Sequence, residues 1–108
     1  MAYVREYEDE SITREQLNQS DGLRLLEFGA NWCGYCIAAQ PDIKTVLAGH
    51  HELQHIKIAD GPGRPLGRSF WVKLWPTLIM IRNGEEVGRI VRPGSEEDIR
   101  ALIGPLLP

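Results

Sequence analysis

Apolar and polar residues alternate along the chain in short blocks that predict strands and helices in turn. The apolar run at residues 23–28 follows the turn sequence Ser20-Asp21-Gly22, and this pattern predicts a largely buried strand. Residues 34–47 have a helical composition, and Gly49 ends that helix. The same reasoning predicts further strands at residues 3–7, 53–59, 77–82 and 87–91, and further helices that begin at Thr13, Leu66 and Ser95.

The order of these elements predicts one mixed sheet between two layers of helices. Asn83-Gly84 between two apolar runs is a strong hairpin signal, so the strands on either side are expected to pair antiparallel. The strands that are separated by helices are expected to pair in parallel through right-handed crossovers. The complete order is β-α-β-α-β-α-β-β-α, and its helices must cover both faces of a central mixed β-sheet. The predicted fold class is therefore α/β.

Length, composition and charge narrow the class of protein. The 108 residues are enough for a single domain, over residues 1–108, and leave no room for two. The apolar share of 43% and the charged share of 25% are typical of soluble globular proteins. We expect no membrane association, because no apolar run could cross a bilayer and the first twelve residues show no signal-peptide pattern. Acidic residues outnumber basic ones by 15 to 12, which argues against a nucleic-acid partner.

The two cysteines stand close together, in the sequence Cys33-Gly34-Tyr35-Cys36. Two cysteines cannot form the framework of several disulfides that holds small secreted domains together. A structural disulfide at this spacing would also close almost no loop, so it would stabilise the fold little. The pair is therefore a redox couple, half of a metal site, or a chance occurrence.

The predicted position of the pair favours redox chemistry. Cys33 falls where a strand gives way to a helix, and the unpaired amides and positive dipole of a helix start favour a thiolate. Such positions lower a cysteine pKa from about 8.5 to roughly 3.5–7.5. Cys36 follows on the same helical face, close enough to bond Cys33. Cys33 is then the attacking thiol, and Cys36 the thiol that resolves the mixed disulfide.

These residues resemble a known family. The sequence Trp32-Cys33-Gly34-Tyr35-Cys36 is similar to the thioredoxin active-site motif Trp-Cys-Gly-Pro-Cys. Further matches follow in the family's order: Pro41 in the active-site helix, Trp75-Pro76-Thr77 at the cis-proline, Asn83-Gly84 at the hairpin, and Glu27 at the buried acidic position. The resemblance covers most of the chain and implies the thioredoxin fold.

The resemblance also implies roles for individual residues. Pro76 would be cis and pack beside the cysteines, which would leave the backbone of Trp75 free to bond a substrate. Glu27 would be a buried carboxylate whose pKa is raised by desolvation, and it would accept the Cys36 proton through water. The alternative for Glu27 is a structural ion pair with Lys57 or with an arginine.

The departures from the family motif bear on the direction of the reaction. Tyr35 replaces the usual proline between the cysteines, Ile37 replaces a lysine, and Trp75 replaces a small aliphatic residue. The middle dipeptide, Gly34 and Tyr35, helps to set the redox potential, and Gly-Tyr also resembles the bacterial periplasmic disulfide isomerases.

Aromatic residues are expected around the cysteines. Trp32, Tyr35 and Trp75 together would form an aromatic rim around Cys33 that suits an extended peptide or one dedicated partner. Trp71 is instead expected in the core.

Two alternatives retain some support from the sequence. Cys33 and Cys36, followed at fourteen residues by His51 and then by His55, fit a Cys₂His₂ zinc pattern. A zinc finger needs its histidines on a helix, whereas residues 53–59 predict a strand, so His50, His51 and His55 are expected in a solvated turn and strand start. The second alternative is a thioredoxin-like binding module without catalysis.

The resemblance and the single predicted domain together predict a cytoplasmic protein disulfide reductase. We expect protein disulfides as substrates, a reductase that restores the dithiol, and a monomer. We expect no bound cofactor and no metal: the redox-active Cys33–Cys36 disulfide carries the electrons, and NADPH would act only through the reductase. Catalysis is assigned to Cys33, Cys36 and Glu27, and substrate contact to Trp32, Gly34, Tyr35, Trp75 and Pro76.

Overall fold

The chain follows most of the predicted elements. The computed structural model describes residues 3–9 and 12–107, so residues 1, 2, 10, 11 and 108 of the predicted domain lie outside the described part. The helices are α1 (Arg14–Asn18), α2 (Gly34–Leu47), α3 (Pro65–Ser69) and α4 (Glu96–Ile103), followed by a 3₁₀ turn (Gly104–Leu106). The strands are β1 (Leu23–Gly29), β2 (Gln54–Ala59), β3 (Thr77–Arg82) and β4 (Glu85–Val91). Among the described helices, none has the length and apolar character that a membrane crossing needs.

The four strands form one mixed sheet in the order β2-β1-β3-β4. The expected parallel pairing is confirmed for β1 and β2. It is wrong for β3, which pairs antiparallel with β1 although α3 separates it from β2. The five residues of α3 rise only about 7.5 Å, whereas a six-residue strand spans about 20 Å. The chain therefore stays at one end of the sheet after β2 and enters β3 from that end.

The predicted hairpin is confirmed. Residues Arg82 and Glu85 pair directly, so Asn83 and Gly84 form a two-residue turn between β3 and β4. Both turn residues have positive φ, at 49° and 84°, as this turn type requires. A side chain at Gly84 would also lie 2.0 Å from the carbonyl oxygen of Asn18, so the position has no room for one.

The predicted edge strand at residues 3–7 is wrong. This segment has no strand, and its sheet contact is a single parallel bridge between Glu8 and Ile58 of β2. Side chains take the backbone hydrogens that a ladder would use: Val4 N–H donates to Nδ1 of His55, and Tyr7 N–H donates to Oδ1 of Asn31, each at 2.9 Å. The segment is therefore fixed over the sheet by side-chain contacts.

The helices cover both faces of the sheet, as predicted. Alternate strand residues point to opposite faces, so Leu25 and Leu26 enter different cores. The core on the side of α2 and α4 contains Leu25, Ala39, Ile43, Val46, Leu47, Leu53, Leu78, Met80, Ile99 and Ile103. The core on the side of α1 and α3 contains Leu17, Leu26, Phe28, Ile58, Leu66, Phe70, Ile79 and Ile81.

The predicted helix starts are confirmed at both ends of the chain. Thr13 and Gln16 form a reciprocal capping box at α1, and the Ser95 hydroxyl accepts from the Asp98 amide at α4. Helix α3 begins at Pro65, one residue before the predicted start at Leu66, and ends at Ser69; Trp71 follows with a φ of 60°. Trp71 is 79% exposed, so its expected place in the core is wrong.

Candidate active site

The two cysteines lie at the junction of β1 and α2. Cys33 is the N-cap of α2, and its Sγ accepts a hydrogen bond from the Cys36 amide at 3.3 Å. Both thiols are free; Cys33 keeps 7% of its surface exposed, whereas Cys36 is fully buried. The helix start thus offers its amide to the sulfur that solvent reaches, which suits Cys33 as the attacking thiol.

The predicted cis bond before Pro76 is confirmed, and the residue before it packs beside this pair. The Trp75–Pro76 peptide bond is cis, and Trp75 packs against the small apolar cluster that contains Cys33 and Cys36. The indole Nε1 of Trp75 donates to Oδ2 of Asp60 at 2.8 Å, which fixes the ring beside the cysteines.

Two further aromatic residues lie exposed at the mouth of the site. Trp32 is 76% exposed and Tyr35 is 61% exposed. The rings of Trp32 and Trp75 meet edge to face, with their centroids 5.6 Å apart. The three aromatic residues therefore form the rim that the sequence predicted, with most of its apolar surface open to a partner.

Arg92 joins this rim and was not predicted. Its guanidinium lies 3.8 Å from the ring centroid of Tyr35, and its Nε donates to the carbonyl oxygen of Trp75 at 2.8 Å. Its amide donates to the carbonyl of Pro76, also at 2.8 Å. The expectation that the Trp75 backbone is free is therefore wrong for its carbonyl. Arg92 links the cis-proline loop to the residue between the two cysteines.

A cluster of polar side chains lies buried beneath Cys36, around Glu27. Glu27 has no exposed surface. Its Oε1 contacts Nε2 of His55 at 2.9 Å, and its Oε2 accepts from Nε2 of Gln40 at 2.8 Å and from the hydroxyl of Tyr7. The ammonium of Lys57 lies 3.9 Å from Oε2. We call Tyr7, Glu27, Gln40, His55 and Lys57 the Glu27 cluster.

The sheet register explains how two of the partners reach Glu27. Glu27 in β1 stands opposite Lys57 in β2, and Leu25 stands opposite His55. Because alternate residues share a face, His55 and Lys57 point to the same side of the sheet as Glu27. The predicted pairing of Glu27 with Lys57 is thus present, as one contact of several.

The hydrogen bonds of His55 define its protonation state. Its Nδ1 accepts from the Val4 amide, so Nδ1 carries no proton. A neutral imidazole then carries its proton on Nε2 and donates it to Glu27. The expected solvated position of His55 is wrong, since only 4% of the residue is exposed.

The structure does not bring together the four residues that the zinc alternative requires. His55 lies in a strand and is bonded to Glu27, where it cannot join the two cysteines. Within residues 3–9 and 12–107, no three or more His, Cys, Asp or Glu side chains are grouped so as to hold a metal ion.

The pKa of Glu27 moves opposite to the expectation. Burial raises it, but the hydrogen bonds from His55 and Tyr7, together with the charge of Lys57, outweigh burial and hold the pKa below its ordinary value. Glu27 is therefore ionised at neutral pH. Burial lowers the pKa of Lys57, and the charge of Glu27 opposes that shift.

Cys36 is held in its protonated form. Burial and the hydrogen bond with Cys33 raise its pKa to about 12. Tyr7 packs in the same small buried cluster as this thiol. Cys36 therefore needs a base before it can attack, and the Glu27 cluster supplies a carboxylate nearby.

Three residues of the Glu27 cluster, Tyr7, Gln40 and His55, were not predicted as site residues. For two of them, the sequence contained a spacing that could have identified them. Gln40 follows Cys36 by one helical turn, and His55 precedes Lys57 by two strand residues, so each shares a face with a residue already singled out. Tyr7 had none, because its position depends on the irregular N-terminal segment.

Three features define a thioredoxin-fold protein: the four-stranded mixed sheet, the CxxC pair at a helix start, and the cis-proline. The family model for thioredoxin matches residues 4–104. The chain belongs to the thioredoxin family.

Individual proteins show the same likeness. The reduced form of thioredoxin 2 from Pseudomonas aeruginosa PAO1 superposes with a TM-score of 0.80 and 48% identity, over 94% of this chain and 97% of that one. Thioredoxin H2-1 of Oryza sativa subsp. japonica is 33% identical over 76 residues, which are 70% of this chain and 54% of that protein. Human protein disulfide-isomerase A2 is 36% identical over 91 residues, 75% of this chain and 17% of that protein. The chain thus spans about half of the rice protein and a smaller part of the isomerase.

Proposed function

We propose that this protein is a thiol–disulfide oxidoreductase that reduces disulfides in protein substrates. The observation that carries this proposal is the Cys33–Cys36 pair, in which Cys33 caps a helix start and keeps 7% of its surface exposed, whereas Cys36 is fully buried near the carboxylate of Glu27. A pure binding module needs neither the second thiol nor the base beneath it.

The reaction follows from the two environments. The Cys33 thiolate attacks a substrate disulfide, forms a mixed disulfide and releases one substrate thiol. Cys36 then loses its proton and attacks the Sγ of Cys33, which forms the Cys33–Cys36 disulfide and releases the second substrate thiol. Two electrons pass from the dithiol to the substrate, and the two thiol protons leave with the products or to solvent.

The rim accounts for protein substrates. Trp32, Tyr35 and Trp75 present apolar surface around Cys33, and such surface binds an extended peptide segment. Gly34 leaves the space beside the attacking sulfur open, since a side chain there would meet no atom within 4 Å.

The cellular setting is part of the same proposal. We infer a cytoplasmic monomer whose dithiol is restored by a separate reductase that draws electrons from NADPH. Its support is the likeness to thioredoxin 2 of Pseudomonas aeruginosa, which covers 97% of that chain.

The redox potential of the pair tests this proposal. The protein is equilibrated in glutathione and dithiothreitol buffers, and tryptophan fluorescence follows the Cys33–Cys36 equilibrium, because Trp32 adjoins Cys33. A potential near about −270 mV supports a reductase. The absence of any reversible couple contradicts the proposal and favours a binding module.

A disulfide isomerase or oxidant is the second candidate. The Gly-Tyr dipeptide between the cysteines and the likeness to a disulfide-isomerase domain favour it. A potential higher than that of thioredoxin by tens of millivolts, toward the roughly −180 mV of the isomerase class, supports this candidate over the first.

A further inference from the structure

We propose that the hydroxyl of Tyr7 relays the proton of the Cys36 thiol directly to Glu27 when Cys36 resolves the mixed disulfide. The inference rests on the proposed function and deepens it, because it names the group that connects the buried base to the reacting sulfur.

The position of Tyr7 is the first observation. Its hydroxyl donates to the carboxylate of Glu27, and Tyr7 packs in one buried cluster with Cys36. Gly29 makes this approach possible: a Cβ there would lie 2.6 Å from Cys36 Sγ and 2.8 Å from the Tyr7 hydroxyl oxygen. The hydroxyl and the sulfur therefore pack over the same bare backbone position.

The chemistry of the other partners is the second observation. A relay must accept one proton as it donates another. Gln40 contacts Glu27 through an amide nitrogen, neutral His55 through its protonated Nε2, and Lys57 through an ammonium. These three groups present donors without a free lone pair. Among the described partners of Glu27, Tyr7 combines a donor with an acceptor and also reaches the thiol.

The burial of the path is the third observation. Glu27 has no exposed surface, and Tyr7 keeps 5% of its own. A shallow cavity of about 300 Å³ on the surface reaches Cys36, Tyr7, Gln40 and Lys57. Tyr7 and Cys36 thus line this cavity, whereas Glu27 does not, so a proton must pass through protein groups to reach the carboxylate.

The resolving step transfers one proton and exchanges one disulfide bond. The S–H bond of Cys36 breaks, and its proton binds the oxygen of Tyr7 as the hydroxyl proton of Tyr7 passes to the carboxylate of Glu27. The sulfur of Cys36 attacks the Sγ of Cys33, and the bond between Cys33 and the substrate sulfur breaks. The substrate leaves as a thiolate that takes a proton from solvent, and Glu27 later loses its proton to solvent through the same chain.

The pKa values of Tyr7 and Glu27 support a proton transfer in which Tyr7 never becomes a tyrosinate. Burial, with the charge and hydrogen bond of Glu27, raises the pKa of Tyr7. Tyr7 therefore stays protonated before and after the transfer. Glu27 is ionised at neutral pH and so is ready to accept.

A single-turnover experiment tests the relay. The reduced protein is mixed with an aromatic disulfide whose thiolate product absorbs visible light. The first phase reports attack by Cys33 and depends on reagent concentration; the second reports resolution by Cys36 and does not. Tyr7→Phe keeps the ring and removes the hydroxyl, so we expect the second phase to slow at least about tenfold at neutral pH, with the first phase unchanged.

The pH profile separates a relay from a structural role. In the wild-type protein, the second phase is expected to vary little from about pH 6 to about pH 9, because Glu27 accepts the proton through Tyr7. In Tyr7→Phe it should rise with hydroxide concentration, since solvent must then deprotonate Cys36. The solvent deuterium isotope effect on this phase should be larger in the wild-type protein.

Tyr3→Phe is the matched control. The hydroxyl of Tyr3 donates to Oε1 of Gln40 at 2.9 Å, so its loss also removes a partly buried hydroxyl from beside the Glu27 cluster. That hydroxyl lies outside the chain from Cys36 to Glu27. Both phases and the pH profile of Tyr3→Phe should match the wild-type protein.

A double variant completes the test. If Tyr7 and Glu27 act in one chain, Tyr7→Phe combined with Glu27→Gln should resolve no more slowly than the slower single variant. Additive losses, or a Tyr7→Phe protein with a wild-type second phase, would overturn the relay while leaving the proposed function intact. A wild-type protein that lacks the first phase would instead contradict the proposed function.

Discussion

Two regions meet at the cysteine pair, and they differ in almost every physical respect. In the rim, Trp32 and Tyr35 are largely exposed and Trp75 is half-buried, whereas the Glu27 cluster is buried and is held by hydrogen bonds. Exposed rings can be changed at little cost to the fold, because water already solvates them. Buried polar groups lose stability when any partner is removed, because the remaining groups stay unpaired. The same pair of thiols thus lies between an aromatic rim on one side and a buried polar cluster on the other.

The largest expected effect is the loss of one thiol. Cys33→Ser should abolish disulfide reduction, because the attacking sulfur is gone. Cys36→Ser should instead accumulate stable mixed disulfides with protein substrates, since nothing resolves them. Mass spectrometry of trapped adducts checks both variants. Adducts on Cys36 in the Cys33→Ser protein, with none in Cys36→Ser, would reverse the assignment.

The next effect is the destabilisation caused by breaking the Glu27 cluster. Glu27→Leu removes the carboxylate and leaves Lys57 buried without its counter-charge, so we expect the free energy of unfolding to fall by about 3–5 kcal/mol. Denaturant unfolding measures this change. Glu96→Leu is the matched control, because Glu96 pairs with Arg100 on an exposed face of α4 at 3.0 Å. It should cost less than about 1 kcal/mol. Equal losses for both variants would contradict the contrast between interior and surface.

Acidic pH should lower the free energy of unfolding, because Glu27 becomes protonated. The pKa of Glu27 is lowered in the folded protein from its ordinary value of 4.5, so the folded state binds its proton less readily than the unfolded chain does. This contribution to stability is fully present above about pH 4.5 and is lost as the pH falls through the lowered value. Thermal unfolding across acidic pH should show the loss in the wild-type protein. Glu27→Gln should flatten that part of the curve, and an unchanged slope would contradict the lowered pKa.

The rim should affect substrate binding more than stability. Trp32→Ala removes a ring that is 76% exposed, so we expect KM for protein substrates to rise severalfold with a nearly unchanged melting temperature. Trp32→Phe keeps an aromatic surface and should recover most of the affinity. A small aromatic disulfide should react equally well with all three proteins. A large drop in melting temperature would place Trp32 among the structural residues instead.

The smallest expected effect belongs to Arg92. Arg92→Lys keeps the charge but loses the planar guanidinium that spans Tyr35 and the carbonyl of Trp75. An exposed contact of this kind stabilises by about 0.5–1 kcal/mol. We therefore expect a similarly small loss in the free energy of unfolding for Arg92→Lys and for Arg92→Ala. A loss several times larger would show that Arg92 anchors the cis-proline loop.

The parts of the site that lie close together in sequence could be predicted from it. The position of Cys33 at a helix start and of Cys36 on the same face follows from local spacing, because a strand followed by a helix fixes that geometry. The Asn83-Gly84 turn follows in the same way, since two positive φ angles are needed there. The cis bond before Pro76 and the buried acid at Glu27 came from the family resemblance, because periodicity alone says nothing about either.

The predictions that failed concerned residues whose position depends on contacts between distant segments of the chain. Residues 3–7 were expected as a strand, but their amides bond to Asn31 and His55, which no local pattern reveals. The pKa of Glu27 was expected to rise, because the sequence shows burial but does not show which donors surround a buried group. Trp71 was expected in the core, where Phe70 lies instead.

Apart from the strand expected at residues 3–7, the sequence by itself determined the order of the elements, the hairpin and the placement of the two thiols, because these follow from periodicity, turn chemistry and short spacing. The tertiary structure decided that β3 runs antiparallel to β1 and that Tyr7, 29 positions before Cys36, meets it beside Glu27. Both outcomes depend on how the sheet and an irregular N-terminal segment pack together. The free energy of that packing is spread over many residues far apart in the chain, so no single stretch of sequence carries it.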